Sequence, residues 1–245
     1  MNKIFQSLLL ILVTQSTFAQ LPPVFGDEYK GSASHSDMVK TYITPQKIIW
    51  QSDSTKQYIQ NAPALLKKGN GQVAVNDQGL FRFTSTVEHK PAILLDYGKE
   101  IHGGVKISMG IRPNKTPLKL RLRFGESVGE AMSDIGGDRN ATNEHSLRDF
   151  IIEVPWLGSI EVGETGFRFL RIDVVEADEN APIKSIDAAF IYRDIPYLGS
   201  FESSDERLNE IWVTGAYTVH LNMQNYLWDG IKRDRLDHKY CFWGK

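Results

Sequence analysis

The densest group of reactive side chains in the 245-residue chain is Tyr226-Leu227-Trp228-Asp229-Gly230-Ile231-Lys232-Arg233-Asp234-Arg235. Two carboxylates alternate there with three cations, directly after an aromatic pair. A hydroxyl-rich ring needs this equipment: a carboxylate beside an Arg for paired hydrogen bonds to vicinal hydroxyls, and a flat face for stacking. The same composition also describes a structural salt-bridge knot at a helix C-terminus, the commoner use of such residues. Residue types and order leave both readings open.

Other chemistries find less support. His35, His89, His102, His145, His220 and His238 are scattered, with no His, Cys or acid at metal-ligand spacing, so neither a metal nor a cofactor is expected. The sequence has no Gly-x-Ser-x-Gly elbow and no phosphate-cradling glycine loop. The single cysteine, Cys241, cannot form an internal disulfide. The stretch Phe124-Gly125-Glu126-Ser127 through Glu130 is acidic and glycine-bearing at a strand end, so it could be a ligand loop; a solvated connection is the ordinary reading. Arg168, Arg171 and Asp173 are expected to form an outward polar face with surface ion pairs.

An amphipathic helix must carry the reactive segment. Leu208, Ile211, Trp212, Gly215, Ala216, Val219, Met223 and Leu227 follow helical spacing on one stripe, which predicts about five turns. Ser203 with Glu206 three residues on reads as a capping box at its start, and Gly230 as its break. Before Pro196 the period is two. Leu118, Leu120 and Leu122 alternate with Lys119, Arg121 and Arg123, and Val105, Ile107 and Met109 alternate with Lys106 and Ser108. Further strand candidates cover residues 92–95, 149–154, 159–162, 167–174 and 183–191, separated by turn residues and no helix. This pattern predicts an antiparallel, jelly-roll-like β-sandwich over residues 72–195. A bulge at Phe169-Leu170 would account for the switch of apolar positions there from odd to even.

Residues 20–71 mix Pro22-Pro23, a Ser/Gly/Asp-rich tract and brief apolar pieces, and read as an extended leader packed on the sandwich. Residues 1–19 read as a signal peptide: Lys3 precedes an apolar run, and Thr17-Phe18-Ala19 offers a cleavage site. That run is far short of the roughly 20 apolar residues that span a bilayer, so export to the periplasm or outside the cell is expected, with no membrane span.

The charge balance points the same way. With 28 Lys+Arg against 30 Asp+Glu, the chain has no basic field for a phosphate backbone, so nucleic acid is not an expected partner. Its 12 Phe, 9 Tyr and 5 Trp supply a core and flat faces on which neutral ligands such as sugars stack. No feature of the sequence sets an oligomeric state.

Several motifs resemble one family. The run from Gly199-Ser200-Phe201 through Ala216-Tyr217-Thr218-Val219-His220 to Trp228-Asp229-Gly230-Ile231-Lys232-Arg233-Asp234-Arg235 looks like the opening of the catalytic domain of α-L-rhamnosidases of glycoside hydrolase family 78. Upstream, Leu94-Leu95-Asp96-Tyr97-Gly98-Lys99-Glu100-Ile101-His102-Gly103-Gly104, Arg123-Phe124-Gly125-Glu126-Ser127 and Gly166-Phe167-Arg168-Phe169-Leu170-Arg171 resemble the β-sandwich that precedes that domain. The resemblance implies an inverting hydrolase of rhamnose-containing glycans. Residues 196–236 would begin an (α/α)6 barrel, with Asp229, Arg233 and Trp228 binding substrate and Asp234 or a nearby acid as the catalytic proton donor. Where many members carry a Glu six residues after the first Asp, this chain has Arg235. Residues 237–245 do not continue into the family's Trp-x-Gly-Asp motif and read as an aberrant tail of a truncated barrel. Inversion needs an acid and a base roughly 6.5 to 9.5 Å apart across the sugar, whereas Asp229 and Asp234 share one short segment, so the base is expected elsewhere. The resemblance therefore implies a fragment without turnover; the alternative is a non-catalytic carbohydrate-binding or domain-packing sandwich.

Overall fold

The period-two stretches form strands because each buries one face in a shared core. A computed structural model describes residues 38–76, 78–136, 143 and 146–232. The signal sequence, Arg233, Asp234 and the 237–245 tail lie outside the described residues. The strands are β1 (Met38–Ile43), β2 (Lys47–Gln51), β3 (Ile59–Gln60), β4 (Phe81–Thr84), β5 (Ala92–Met109), β6 (Leu118–Gly125), β7 (Asp149–Val154), β8 (Ser159–Val174) and β9 (Asn180–Arg193). They pair antiparallel in the order β3-β4-β9-β5-β8-β6-β7, with β1 added to β9 and β2 to β5. The molecule is mainly β, as the alternation predicts, with the architecture of a β-sandwich.

Three long strands tie the layers together. The first part of β5 lies between β2 and β8, and its second part between β8 and β9. The predicted strands at 92–95 and 105–109 are thus one element, as are those at 159–162 and 167–174. One apolar core joins Phe81 and Phe83 of β4, Val105 and Ile107 of β5, Leu118, Leu120 and Leu122 of β6, and Ile183 and Ile186 of β9, all with at most 0% exposure. Residues 38–51, read in the sequence as part of a leader, supply two strands of the sheet.

The bulge falls elsewhere than expected. Asp96 pairs with Phe169, Leu95 with Leu170 and Leu94 with Arg171 without interruption, so β8 is regular at Phe169-Leu170. The apolar switch falls just before those two residues, since Phe167 and Leu170, three residues apart, both enter the main core. Leu170 enters the main core, while Phe169 joins a small second cluster with Leu94 and Ala131 on the other side. The register shifts between the pairs Asp96–Phe169 and Ile101–Phe167, so the irregularity takes in Arg168 of β8 as well as residues 97–100 of β5, one step before the expected position.

Among the described residues two α-helices and a 3-10 turn at Ala62–Leu66 complete the fold. Val128–Ala131 forms a single turn, α1, inside the acidic stretch that the sequence presented as a plain connection; Ser127 caps it by accepting from Glu130 N at 3.1 Å. The predicted long helix is α2 (Glu206–Asn222). Its cap is Asp205, whose side chain accepts from Arg207 N at 3.0 Å. Ser203 instead accepts from Asp205 N, and its own backbone is bound by the Asn209 side chain. The predicted apolar stripe is largely open: Leu208, Ile211 and Val219 are exposed, and the helix buries Leu221 and Asn222 at its last turn. Among the described residues no helix is long and apolar enough to cross a membrane.

Candidate functional site

The reactive segment is reached by a sharp turn. Helix α2 ends at Asn222, eight residues before the glycine expected to break it, so Tyr226, Leu227 and Trp228 lie beyond its end. Gln224 N donates to Tyr226 O, Trp228 N donates to Asn222 O, and Met223 bridges to Leu227. This turn is pinned to the end of β9. Arg193 donates twice to Gln224 O, at 3.1 and 2.7 Å, and the Gln224 amide donates to Ile191 O and Leu221 O. His220 Nε2 stands 2.6 Å from Arg193 O and Nδ1 stands 2.9 Å from the Tyr197 hydroxyl. A carbonyl only accepts, so the Nε2 proton points to Arg193 and a neutral ring accepts from Tyr197 through Nδ1.

Beyond the turn the chain docks on the sandwich. Ile231 packs on the bare backbone of Gly166 in β8, where an added Cβ would overlap the Ile231 side chain. Lys232 Nζ donates to both carboxyl oxygens of Glu130, at 2.5 and 2.6 Å, and lies 3.4 Å from Glu126. Glu100 joins this group from the β5 irregularity. Burial, then the neighbouring Glu126, push its carboxyl up to about 7, against the opposing pull of Lys232. One Glu100 carboxyl oxygen is buried with no hydrogen-bond partner. The Glu100 backbone carbonyl accepts from the Tyr217 hydroxyl of α2, whose burial pushes that phenol up to about 12.

The irregular stretch that carries Glu100 is itself held by charge. Arg168 grips the buried Asp96 with two parallel hydrogen bonds, at 2.8 and 2.9 Å, and holds that carboxyl below its ordinary value. Asp96 also accepts from Gly98 N, while Tyr97 turns into the core and donates to Ile186 O. The expected single polar face of Arg168, Arg171 and Asp173 is therefore two units. Arg171 pairs with Asp173 at 2.6 Å and stacks over Trp50, but Arg168 serves the irregular loop.

Of the residues singled out in the sequence, Trp228 and Asp229 are placed. Trp228 is half-buried, meets the Tyr226 ring edge-on at 5.7 Å between centroids, and is followed by an exposed Asp229. Arg233 and Asp234 lie outside the described residues. Lys232 was visible only as one of three cations; its actual partners are acids about a hundred residues earlier. The acidic stretch 124–130 and the glycine at 166 inside a strand-like run were the signals that could have paired them. Among the described residues no group of three or more His, Cys, Asp or Glu is arranged to hold a metal ion.

No protein-family profile matches the chain, and no curated protein matches it in sequence. Solved structures do match. A rhamnosidase from Klebsiella oxytoca with rhamnose bound superposes with a TM-score of 0.57 at 18% identity, over 81% of this chain and 38% of that one. The chain shares the fold of that portion of the rhamnosidase. It spans well under half the length of that rhamnosidase. A family 78 rhamnosidase of Bacillus sp. GL1 aligns at TM-score 0.47 and 19% identity, over 61% of this chain and 15% of that one. A fucolectin from striped bass, Morone saxatilis, aligns at TM-score 0.38 and 14% identity, over 64% and 47% respectively. The coverage of the Klebsiella rhamnosidase exceeds the sandwich alone, since β1 to β9 and their connections end at Arg193.

Proposed function

We propose that this chain is the sandwich and first catalytic-domain helix of an exported α-L-rhamnosidase-type glycoside hydrolase of family 78. The observation that carries this reading is the tethering of the turn after α2. Ile231 on Gly166 and Lys232 on Glu130 hold the segment against the sandwich, with Trp228 and Asp229 just before the tether. A carboxylate and an indole face on a fixed turn suit vicinal hydroxyls and the C–H face of a sugar ring. In this reading Asp229 and Arg233 bind rhamnose hydroxyls, Trp228 stacks, and Asp234 or a nearby acid protonates the leaving oxygen.

Inverting hydrolysis also requires a base on the opposite side of the sugar to activate water. Asp229 and Asp234 are five positions apart in the sequence, too near each other to be expected on opposite faces of a ring. A polypeptide of these 245 residues alone should therefore bind L-rhamnose weakly without turning over an aryl α-L-rhamnoside. Nitrophenol release, followed beside calorimetric titration with L-rhamnose, tests both halves. Turnover would overturn the assignment of roles; absence of rhamnose binding, or binding unchanged in Asp229→Asn, would overturn the site. Export is tested separately: the mature protein should begin at Gln20.

A non-catalytic carbohydrate-binding reading has its own observation. The sandwich carries a polar cleft of about 450 Å3 whose lining includes no residue of the post-helix segment.

A further inference from the structure

The cleft is built where β1, β5 and β9 run side by side beneath the loop at residues 68–71. Its chemistry follows from strand register. Lys106 of β5 stands opposite Asp187 of β9, and Ser108 opposite Ser185, so all four share the face turned away from Val105 and Ile107. On the other side of β9, Tyr42 of β1 pairs with Ala189.

Asp187, Tyr42, Lys106 and Asn70 each have a partner before any ligand arrives. Asp187 is 6% exposed and accepts from the Thr44 hydroxyl at 3.1 Å. Tyr42 donates to Glu161 at 2.8 Å, and its ring carries Lys106 Nζ 4.8 Å from the centroid, yet 45% of the residue remains exposed. Asn70 is held by Lys184, which donates to its Oδ1 at 2.6 Å. Gly71 has φ +72, a backbone conformation that side chains disfavour, and a Cβ there would stand 3.6 Å from Lys106 Nζ. The loop thus crosses the ammonium group with bare backbone. Beneath the same loop, Ser185 and Ser108 are 2% and 0% exposed, and their hydroxyls have no hydrogen-bond partner. Neither hydroxyl lines the cleft; they form the floor beneath it.

The balance of charge selects the ligand. Lys68 and Lys106 both line the cleft, and neither makes an ion pair among the described residues; of the acids near them, Glu161 is paired with Lys40, so the single charge of Asp187 leaves the two lysines in excess. Two ammonium groups ask for an anion; Asp187, Asn70 and the threonines ask for hydroxyl groups on the same molecule; the Tyr42 ring offers a face for C–H bonds. The volume suits a ligand of one or two sugar rings. We propose that this cleft binds a uronic acid unit of an acidic polysaccharide, with its carboxylate between Lys68 and Lys106 and its hydroxyls on Asp187 and Asn70.

This inference goes beyond the rhamnoside reading, because rhamnose is neutral and its proposed ligands lie on the post-helix segment. The test uses the full chain in calorimetric titrations with D-galacturonic acid, its primary amide, galactose and inorganic phosphate. Galacturonate should bind, and its amide and galactose should bind at least about tenfold more weakly, since only the charge-assisted hydrogen bonds are lost. Affinity should fall as salt is raised. Lys68→Gln, on the exposed loop, and Lys106→Gln should each weaken galacturonate by about tenfold while the thermal midpoint holds. Equal affinity for the amide, phosphate binding as tight as galacturonate, unchanged binding in Lys68→Gln, or no galacturonate binding at tens of millimolar would each overturn the proposal. L-rhamnose titrated into Lys68→Gln keeps the two sites apart, because the proposed rhamnose site contains no residue of this cleft.

Discussion

Lys232 Nζ lies 2.5 Å from one carboxyl oxygen of Glu130 and 2.6 Å from the other, joining residues 102 positions apart in the chain. Lys232 and Glu130 keep 23% and 24% of their side chains exposed, so the pair is neither fully screened nor deeply buried. Lys232→Met should lower global stability by no more than about 1 kcal/mol, the ordinary range of a partly exposed ion pair. Its larger effect should be local. Amide exchange at residues 226–232 should accelerate well beyond that of the β5 and β8 strands. Uniform acceleration across both would show that the pair supports the whole fold rather than the turn.

Glu100 makes this junction sensitive to pH. Its carboxyl is raised from 4.5 to about 7, by burial first and by Glu126 second. A raised acid binds its proton more tightly in the folded state, so its stabilising contribution is complete below 4.5 and is lost as pH rises through about 7. Glu100→Gln keeps the neutral shape and cannot ionise. Urea midpoints of the wild type should therefore fall relative to Glu100→Gln between pH 4.5 and 7. A constant gap across that window would contradict this account.

Gly166 is a packing surface for Ile231. It sits in β8 paired with His102, between two register shifts, with no unusual backbone angle to defend. Gly166→Ala would set a methyl 2.9 Å from Ile231 Cβ and into its outer carbons, so the cost is steric. Overpacking of this kind typically costs about 1–3 kcal/mol. Ile231→Ala should restore much of that loss when combined with Gly166→Ala, and a double-mutant cycle on chemical denaturation measures the coupling. Additive losses would mean that the two residues do not share this contact.

The sandwich was legible because strand burial is a local signal: Leu118, Leu120 and Leu122 alternate with charges and are all buried. The long helix was legible for the same reason, although its cap is Asp205, which accepts from Arg207 N, while Ser203 accepts from Asp205 N one step outside the helix. Orientation was not legible. A stripe of Leu208, Ile211 and Val219 says that a helix has an apolar face, but not that the neighbouring sandwich leaves it exposed. Phe169 and Leu170 misled in position. The switch of apolar positions marks a real irregularity, but it falls at Arg168 and mainly lengthens the partner strand, while α1, which covers Phe169, is a single turn too short to signal itself. The site divided similarly. Trp228 and Asp229 stand out by type, while Glu100, Glu126, Glu130 and Gly166 gain meaning only from pairing across the sheet.

His220 offers a test of the junction that does not depend on ligand. Its Nε2 faces the Arg193 carbonyl at 2.6 Å and its Nδ1 faces the Tyr197 hydroxyl at 2.9 Å. The neutral ring should therefore be held as the Nε2–H tautomer, with Tyr197 as donor. Ring nitrogen chemical shifts at neutral to alkaline pH should report a single Nε2–H form rather than a mixture. Tyr197→Phe removes only the hydroxyl and should leave that tautomer in place, because the carbonyl contact fixes it; the stability change should be at most about 1 kcal/mol for one solvent-accessible hydrogen bond. His220→Leu should cost more, since it also removes the partner of the Arg193 carbonyl at the root of the turn, and exchange at residues 193–197 should rise with that at 222–228. A dominant Nδ1–H signal in the wild type would reverse the hydrogen-bond directions and detach Tyr197 from the junction.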